Sequence, residues 1–474
     1  MASIRFGTDG WRAIIAEDFT FENVRICAQG TADYVNAAGV APRGFVIGYD
    51  TRFGSGQFAE AVAEVMTANG VPTYLCDRAA PTPVVSHSLV SLTAGAGAVI
   101  TASHNPGEWN GFKFKPDYGG SASNEIVAEL ERYIGNAERT GSVRRMDIRE
   151  AEMRGLLERF DPRPDYLNHV AQFVDVEGIR NAGLNVAVDS MHGAGAGYFS
   201  DLISGGSTRV VEVRSEVNPS FPGMAQPEPI APNLGPLVDA VEDTTADIGL
   251  ATDGDADRLG VIDDDGQFMT TTETFSLLCM HLLEVLQQSG PLVKSITMSS
   301  MIDKLAESHD VEVIETPVGF KYLGPQMMAV NALAAGEESG GYAFRGNIPE
   351  RDGILSGLLM LDMVVKTGEN PADLRGQLFE RVGTHVYERW DVEFDPRLRE
   401  GIMQRVTTSR PFDLGGMSVV GIDNRDGIKI LLEDGYWALI RFSGTEPLLR
   451  IYAEGPSTGD VAAMLGEARA LTGI

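Results

Sequence analysis

The sequence predicts an α/β protein made of three similar strand–helix–strand units and closed by a smaller α+β domain. Three observations predict it. The chain has 474 residues, too many for one core and suited to roughly three or four domains. A strand–helix–strand pattern recurs three times along it. The stretch from 382 to 474 then changes to short strands split by turns.

GFVIGYDTR, 44–52, is an apolar run ending in polar residues; it leads through FAEAVAEVMTANG into a second apolar run, VPTYLCD. LNVAVDSMHGAG, 184–195, begins the same order, followed by AGYFSDLISGG and TRVVEVR. KSITMSSMIDKLAESHDVEVIETP, 294–317, repeats it. Strand, helix, strand is the βαβ unit of a parallel sheet. In the last part DVEFD, MSVVGID, GIKILLE and YWALIRF are short strands separated by NRDG and EDG, and TGDVAAMLGEARALT has the look of a helix. That combination predicts an antiparallel sheet in an α+β domain. The expected domains are 1–160, 161–267, 268–381 and 382–474.

Composition narrows the function. The net charge of −29 excludes a broad nucleic-acid footprint, which needs a basic face, and docking on anionic membranes. Any bound phosphate must sit in a local positive field on a negative body. Cys27, Cys76 and Cys279 are widely spaced and form no metal pattern, so they read as buried reduced thiols. MASIRFGTDGWR carries charges where a signal peptide needs an apolar core. No apolar run approaches the ~20 residues of a membrane span. The expected compartment is the cytoplasm.

Four segments carry chemistry. TASHNPGEWNGFKFK, 101–115, follows the apolar run GAGAVI, which places Ser103 just past a strand end, where open α/β sheets bind ligands. Phe112, Lys113, Phe114 and Lys115 alternate, so both lysines share one face of a strand. Ser103 is then a candidate nucleophile or phosphate carrier, with His104 and Lys113 nearby; a polar loop before a half-buried strand is the plainer alternative. TDGDADRLG, 252–260, follows the strand-like ADIGLA. Asp253, Asp255 and Asp257 are spaced two apart, on one side of an extended chain, and three clustered carboxylates need a cation. Hard oxygen ligands select Mg²⁺ or Ca²⁺. An EF-hand is excluded because the sixth loop position is Arg258 and the twelfth is Asp264. GEESGGYAFRGNIPERDGI, 336–354, offers Glu337 and Ser339 as hydrogen-bond partners for sugar hydroxyls. RFSGTEPLLR, 441–450, ends a strand in two hydroxyls and exposed N–H groups beside Arg441, a nest for a dianionic phosphate.

Together these segments resemble the α-D-phosphohexomutase superfamily, over the whole chain and in order. The resemblance implies four domains around a central cleft, three related and α/β, the fourth smaller and α+β. By position, Ser103 would be a phosphoserine whose phosphate holds Mg²⁺ together with Asp253, Asp255 and Asp257. Arg258, and Arg12 in FGTDGWR, would face the transferred phosphate. Lys113 or His104 would take the proton of the attacking hydroxyl. Glu337, Ser339 and Lys321 in TPVGFKY would bind the sugar. Arg441, Ser443, Gly444, Thr445 and Arg450 would hold the non-reacting phosphate. Two departures stand out. Some relatives have histidine where Gly341 stands. The phosphoglucomutase branch often has lysine where Arg351 stands; an arginine cannot act as a base but can hold phosphate.

The resemblance implies a phosphoglucomutase that interconverts glucose 1-phosphate and glucose 6-phosphate through a hexose 1,6-bisphosphate. Phosphomannomutase, dual-specificity mutase and glucose 1,6-bisphosphate synthase are the neighbouring activities. A catalytically silent phosphosugar-binding protein is the non-enzymatic alternative. The expected partners are hexose phosphates, with no nucleic acid and no membrane.

Overall fold

Each of the three repeated segments folds into the same four-strand arrangement, and each leaves one loop at the same place. The computed structural model describes residues 4–7, 9–409, 411–443 and 448–474. In the first unit the strands are β1 (Trp11–Ile14), β2 (Phe45–Tyr49), β3 (Thr73–Cys76), β4 (Ala96–Ile100), β5 (Trp109–Pro116) and β6 (Leu157–Phe160), in sheet order β1-β5-β4-β2-β3-β6. The second unit has β7 (Asn185–Asp189), β8 (Arg209–Val213), β9 (Ile248–Thr252), β10 (Leu259–Ile262) and β11 (Phe268–Met269), in order β11-β10-β9-β7-β8. The third has β12 (Leu292–Ser295), β13 (Val313–Thr316), β14 (Ala334–Gly336) and β15 (Tyr342–Phe344), in order β13-β12-β14-β15.

The correspondence is direct. β2–β3, β7–β8 and β12–β13 are the parallel pairs foreseen from the repeat, each joined through a helix. A third strand then pairs parallel with the first: β4 with β2, β9 with β7, β14 with β12. A fourth returns antiparallel, as β5, β10 and β15. The loop between third and fourth strands is 101–108 in the first unit, 253–258 in the second and 337–341 in the third. Those loops hold the serine, the aspartates and the glutamate singled out above.

The fourth unit is antiparallel throughout: β16 (Val386–Glu393), β17 (Asp413–Leu414), β18 (Met417–Asp423), β19 (Ile428–Leu432), β20 (Trp437–Phe442) and β21 (Leu448–Gly455), in order β16-β21-β20-β19-β18-β17. The helix Thr458–Thr472 covers it, capped by the Ser457 side chain.

Helices cover the parallel strands on both faces, which is why Phe45, Val46 and Ile47 form an unbroken buried run. Gly48 lets the helix Thr82–Ser91 close onto β2, since a Cβ there would lie 2.2 Å from a Val85 methyl. One apolar cluster runs through all three α/β units, from Val46 and Leu89 through Val188 and Leu250 to Phe275 and Leu358. The fourth unit has its own cluster around Ile402, Leu449 and Leu465. A small cluster of Ile296, Trp437, Leu439 and Tyr452 joins it to the third. Cys27, Cys76 and Cys279 are buried free thiols. Among the described residues no helix is long and apolar enough to cross a membrane.

Candidate active site

The loops of the three α/β units meet at a buried cluster of charges. Ser103 is fully buried and its backbone is left-handed, with φ +53°. Its Oγ donates to Asp253 Oδ2 at 3.0 Å, across 150 positions of sequence. Gly254 allows this approach, because a Cβ there would come within 2.6 Å of the Ser103 carbonyl oxygen.

The aspartates converge by a different route from the extended chain expected of their spacing. Residues 253–258 are the loop of the β9–β10 hairpin, with Thr252 opposite Leu259. Ala256 turns left-handed at φ +54°. Asp253 Oδ1 accepts the N–H groups of Asp257 (2.9 Å) and Arg258 (3.2 Å), folding the loop onto its own first side chain. A turn, rather than strand alternation, brings the carboxylates together. One oxygen from each of Asp253, Asp255 and Asp257 lies within 4.8 Å of the others, and all three residues are buried.

This donor set fits a hard divalent cation. Asp255 Oδ1 and Asp257 Oδ1 are buried without a hydrogen-bond partner, which buried oxygens seldom tolerate. Burial, followed by the charges of Asp257 and Asp255, pushes the Asp253 carboxyl well above the usual range, as expected of clustered anions awaiting a cation. The triad's other oxygens have partners. Thr82 donates to Asp255 Oδ2 at 2.6 Å. Lys113 Nζ reaches Asp255 at 2.8 Å, Asp9 at 3.0 Å and Asp257 at 3.3 Å.

Lys113 and Lys115 are both fully buried on one face of β5, as their alternation implies. Lys115 pairs with Glu350, which also accepts the Ser121 hydroxyl at 2.8 Å. Burial opposes the Lys113 ammonium, but Asp255, Asp9 and Asp257 together hold its pKa above the ordinary lysine value. This arrangement favours its ammonium form. His104 is the opposite case. Burial, then Arg258, Arg12, Lys113 and Arg351, holds its imidazole well below the usual range, which favours the neutral form. Its Nδ1 is buried without a partner.

Arg258 pairs with Glu228 at 2.5 Å and stands 4.0 Å from both Asp253 and Asp257. Arg12, on β1, donates to Asn105 at 2.5 Å within the serine loop. Arg351 touches all three units: Asp9 at 2.7 Å, Asp257 at 2.9 Å and Glu337 at 3.7 Å. Gly341 makes room for it, since a Cβ there would fall 2.2 Å from Arg351 Cδ. The two departures from the superfamily pattern are therefore one packing arrangement. Glu337 is buried in a tight turn that Gly340 and Gly341 close; Ser339 is half-buried in the same loop.

The remaining candidates form none of these ion pairs. Lys321 opens the helix Phe320–Val330, its ammonium 5.3 Å from the Tyr322 ring centre. Arg441 and Arg450 are opposite each other on β20 and β21, an unfavourable pairing of like charges that an anion between them would relieve. Asp426 lies 2.9 Å from Arg441 and Asp391 3.8 Å from Arg450. The Ser443 N–H donates to the Leu448 carbonyl at 2.8 Å. Gly444 and Thr445 lie outside the described residues.

Sequence reasoning missed Asp9, Glu228, Thr82 and the pair Asp50–Arg52. Asp9 and Arg52 had a usable signal. Both are charged residues inside segments already singled out, and Arg52 follows a parallel strand at its carboxyl end, the edge where α/β sheets bind ligands.

Comparison with known proteins shows what kind of protein carries a site assembled this way, from one loop per repeated unit. Domain models described as "Phosphoglucomutase/phosphomannomutase, alpha/beta/alpha domain" I, II and III match residues 3–140, 164–266 and 271–382, and the C-terminal domain of the same set matches 403–471. The chain belongs to the phosphoglucomutase/phosphomannomutase family. A phosphoglucomutase/phosphomannomutase of Thermococcus kodakarensis is 31% identical over 458 residues, 95% of this chain and 94% of the relative. A protein of Methanothermobacter thermautotrophicus named as a phosphoglucosamine mutase is 32% identical, over 95% of this chain and 93% of its own length. A Thermus thermophilus structure solved under the phosphomannomutase name superposes with a TM-score of 0.86 at 32% identity, with both chains fully covered.

Proposed function

We propose that this phosphohexomutase interconverts glucose 1-phosphate and glucose 6-phosphate, with Ser103 as the phosphate carrier. The observation that carries the reading is the 3.0 Å contact between Ser103 Oγ and Asp253 inside the buried triad. The donor oxygens of Asp253, Asp255 and Asp257, with a phosphate oxygen on Ser103, would hold Mg²⁺. The ion would neutralise charge developing on the transferred group.

The chain's own residues account for the rest. A phosphoserine carries about −1.5 to −2 charges, and the incoming sugar brings a second phosphate. Arg12, Arg258 and Arg351 offset that repulsion around a transition state governed by positioning and charge. The sugar hydroxyl forms the new P–O bond as the bond to Ser103 Oγ breaks, and its proton passes to a base. His104, whose neutral form is favoured and whose Nδ1 lacks a partner, is the acceptor in this reading. The product is glucose 1,6-bisphosphate. It turns over, and its other phosphate returns to Ser103. Glu337 and Ser339 bind the hydroxyls, Lys321 adds a contact to the sugar, and the Arg441–Arg450 pair with Ser443, Gly444 and Thr445 holds the phosphate that is not reacting.

Peptide mapping of the purified protein should find one phosphate, on Ser103. Ser103→Ala should lose turnover while still binding glucose 1-phosphate; full activity in that variant sinks the reading. Relatives of similar identity carry different substrate names, so mannose 1-phosphate is the natural competitor. The ratio of kcat/KM for the two sugars decides between them.

A further inference from the structure

Left-handed backbone is costly for a serine, and the structure shows what holds Ser103 in it. Arg52 follows β2, and its buried guanidinium donates to three carbonyls of the serine loop and to that of Trp109, the first residue of β5. Nη2 reaches Ser103 O at 2.5 Å and Asn105 O at 2.6 Å; Nη1 reaches Pro106 O at 2.7 Å and Trp109 O at 3.0 Å. Asp50 orients the guanidinium, 3.1 Å from Nε. Asp50 also accepts the hydroxyls of Thr101 at 2.6 Å and Ser55 at 2.8 Å. Thr101 Oγ1 in turn accepts the Ser103 N–H at 2.9 Å. The Phe221 ring, from the second unit, lies 5.0 Å from the guanidinium carbon.

We propose that Arg52 is a positioning residue for phosphoryl transfer, a latch that holds the serine loop in the conformation aiming Ser103 Oγ at Asp253. The inference rests on the reading of Ser103 as the phosphate carrier. Arg52 donates to none of the three aspartates; its charge is felt by Asp255 and Asp253, but its hydrogen bonds run to the loop and the start of β5. A planar fork with five donors suits four carbonyls spread around it, and a lysine ammonium does not. Without the latch the loop relaxes and the reacting oxygen moves. A displacement of about 1 Å at a reacting atom costs on the order of 10²-fold in rate.

The test uses full-length Arg52→Lys, with steady-state kinetics on glucose 1-phosphate. Single-turnover transfer from phosphorylated Ser103 is measured alongside, because that rate does not depend on how much enzyme is folded. The expected result is a fall of about 10²-fold in kcat and in the single-turnover rate, with KM little changed, the pattern of an interaction that matters only in the transition state. An unchanged single-turnover rate, or a raised KM at unchanged kcat, overturns the proposal. Should Arg52→Lys fail to fold, Thr101→Val removes the hydroxyl linking Asp50 to the Ser103 N–H. It should slow transfer in the same direction, and an unchanged rate there overturns the latch equally. Ser103→Ala separates the two ideas. An active Ser103→Ala defeats the carrier reading itself, whereas an inactive one beside an unimpaired Arg52→Lys defeats the latch alone.

Discussion

At the scale of single residues, the interlock of Gly341 with Arg351 makes a sharp demand. A methyl group at 341 would stand 2.2 Å from Arg351 Cδ, 2.5 Å from its Cγ, so Gly341→Ala must push the guanidinium off Asp257 and Asp9. Overpacking of this kind costs about 1–3 kcal/mol, and the lost charge placement should lower kcat/KM at least tenfold. Truncating Arg351 as well should relieve the clash. The double variant should then be no less stable than Arg351→Ala alone, and a thermal-melt cycle over the four proteins checks the coupling. The triad makes a second demand: chelation should abolish turnover and added Mg²⁺ restore it. Ca²⁺ should restore less, since it takes six to eight ligands in looser geometry. Activity that survives exhaustive chelation would remove the cation from the account.

At the scale of elements, the seam between the third and fourth units depends on a buried acid on β21. Glu454 accepts the Ser300 N–H at 3.1 Å and the Ser300 hydroxyl, and it pairs with His385. Burial alone would raise its pKa; the bond and charge of His385, the Ser300 hydroxyl and Lys294 outweigh it and hold the carboxyl below 4.5. Its contribution is therefore full above the unfolded value near 4.5 and fades as pH falls through the lower folded value. Glu454→Gln should lose about 1–3 kcal/mol at neutral pH, and the gap to the parent should narrow on acidification below pH 4.5. Urea titrations of both proteins across that range measure it. This element also shows where sequence reading stops. The strands β18, β19 and β20 and the closing helix were all legible from apolar runs and turn signals, because those signals are local. The partners of Glu454 were not, since Ser300 lies 154 positions away and no periodicity records it. The same holds in the site. Alternation put Lys113 and Lys115 on one face, yet nothing local says that Asp255 and Glu350 receive them. The aspartate spacing pointed to a cation through strand geometry, and the convergence comes instead from a turn led by Asp253, whose side chain caps its own loop.

At the scale of the whole molecule, the apolar clusters divide the chain unequally. One apolar cluster crosses all three α/β units, the first of which adds a separate cluster of its own around Phe19, Ile47 and Ile100, while the fourth has only its own and meets the third through four buried residues and a set of ion pairs. The first three should unfold together and the fourth separately. Calorimetry should resolve two transitions, the smaller near 60 kcal/mol for a unit of ~90 residues at about 0.7 kcal/mol each. A single transition, with equal calorimetric and van't Hoff enthalpies, would show that the seam couples all four. The repeat itself was visible in the sequence. That its three reactive loops occupy one equivalent slot was not, because the slot is defined by a returning strand whose pairing is read only from the fold.

The handedness of the main chain at Ser103 reaches beyond geometry. Threonine offers the same hydroxyl, but a branched β-carbon is strained at φ +53°, a strain this chain accepts at Thr93 (φ +51°) and Thr245 (φ +48°), neither of which has a reacting oxygen to aim. Ser103→Thr should therefore fold but transfer phosphate more slowly, even though no functional group is missing. The way the peptide turns at 103 thus favours serine over threonine, whichever oxygen is the stronger nucleophile.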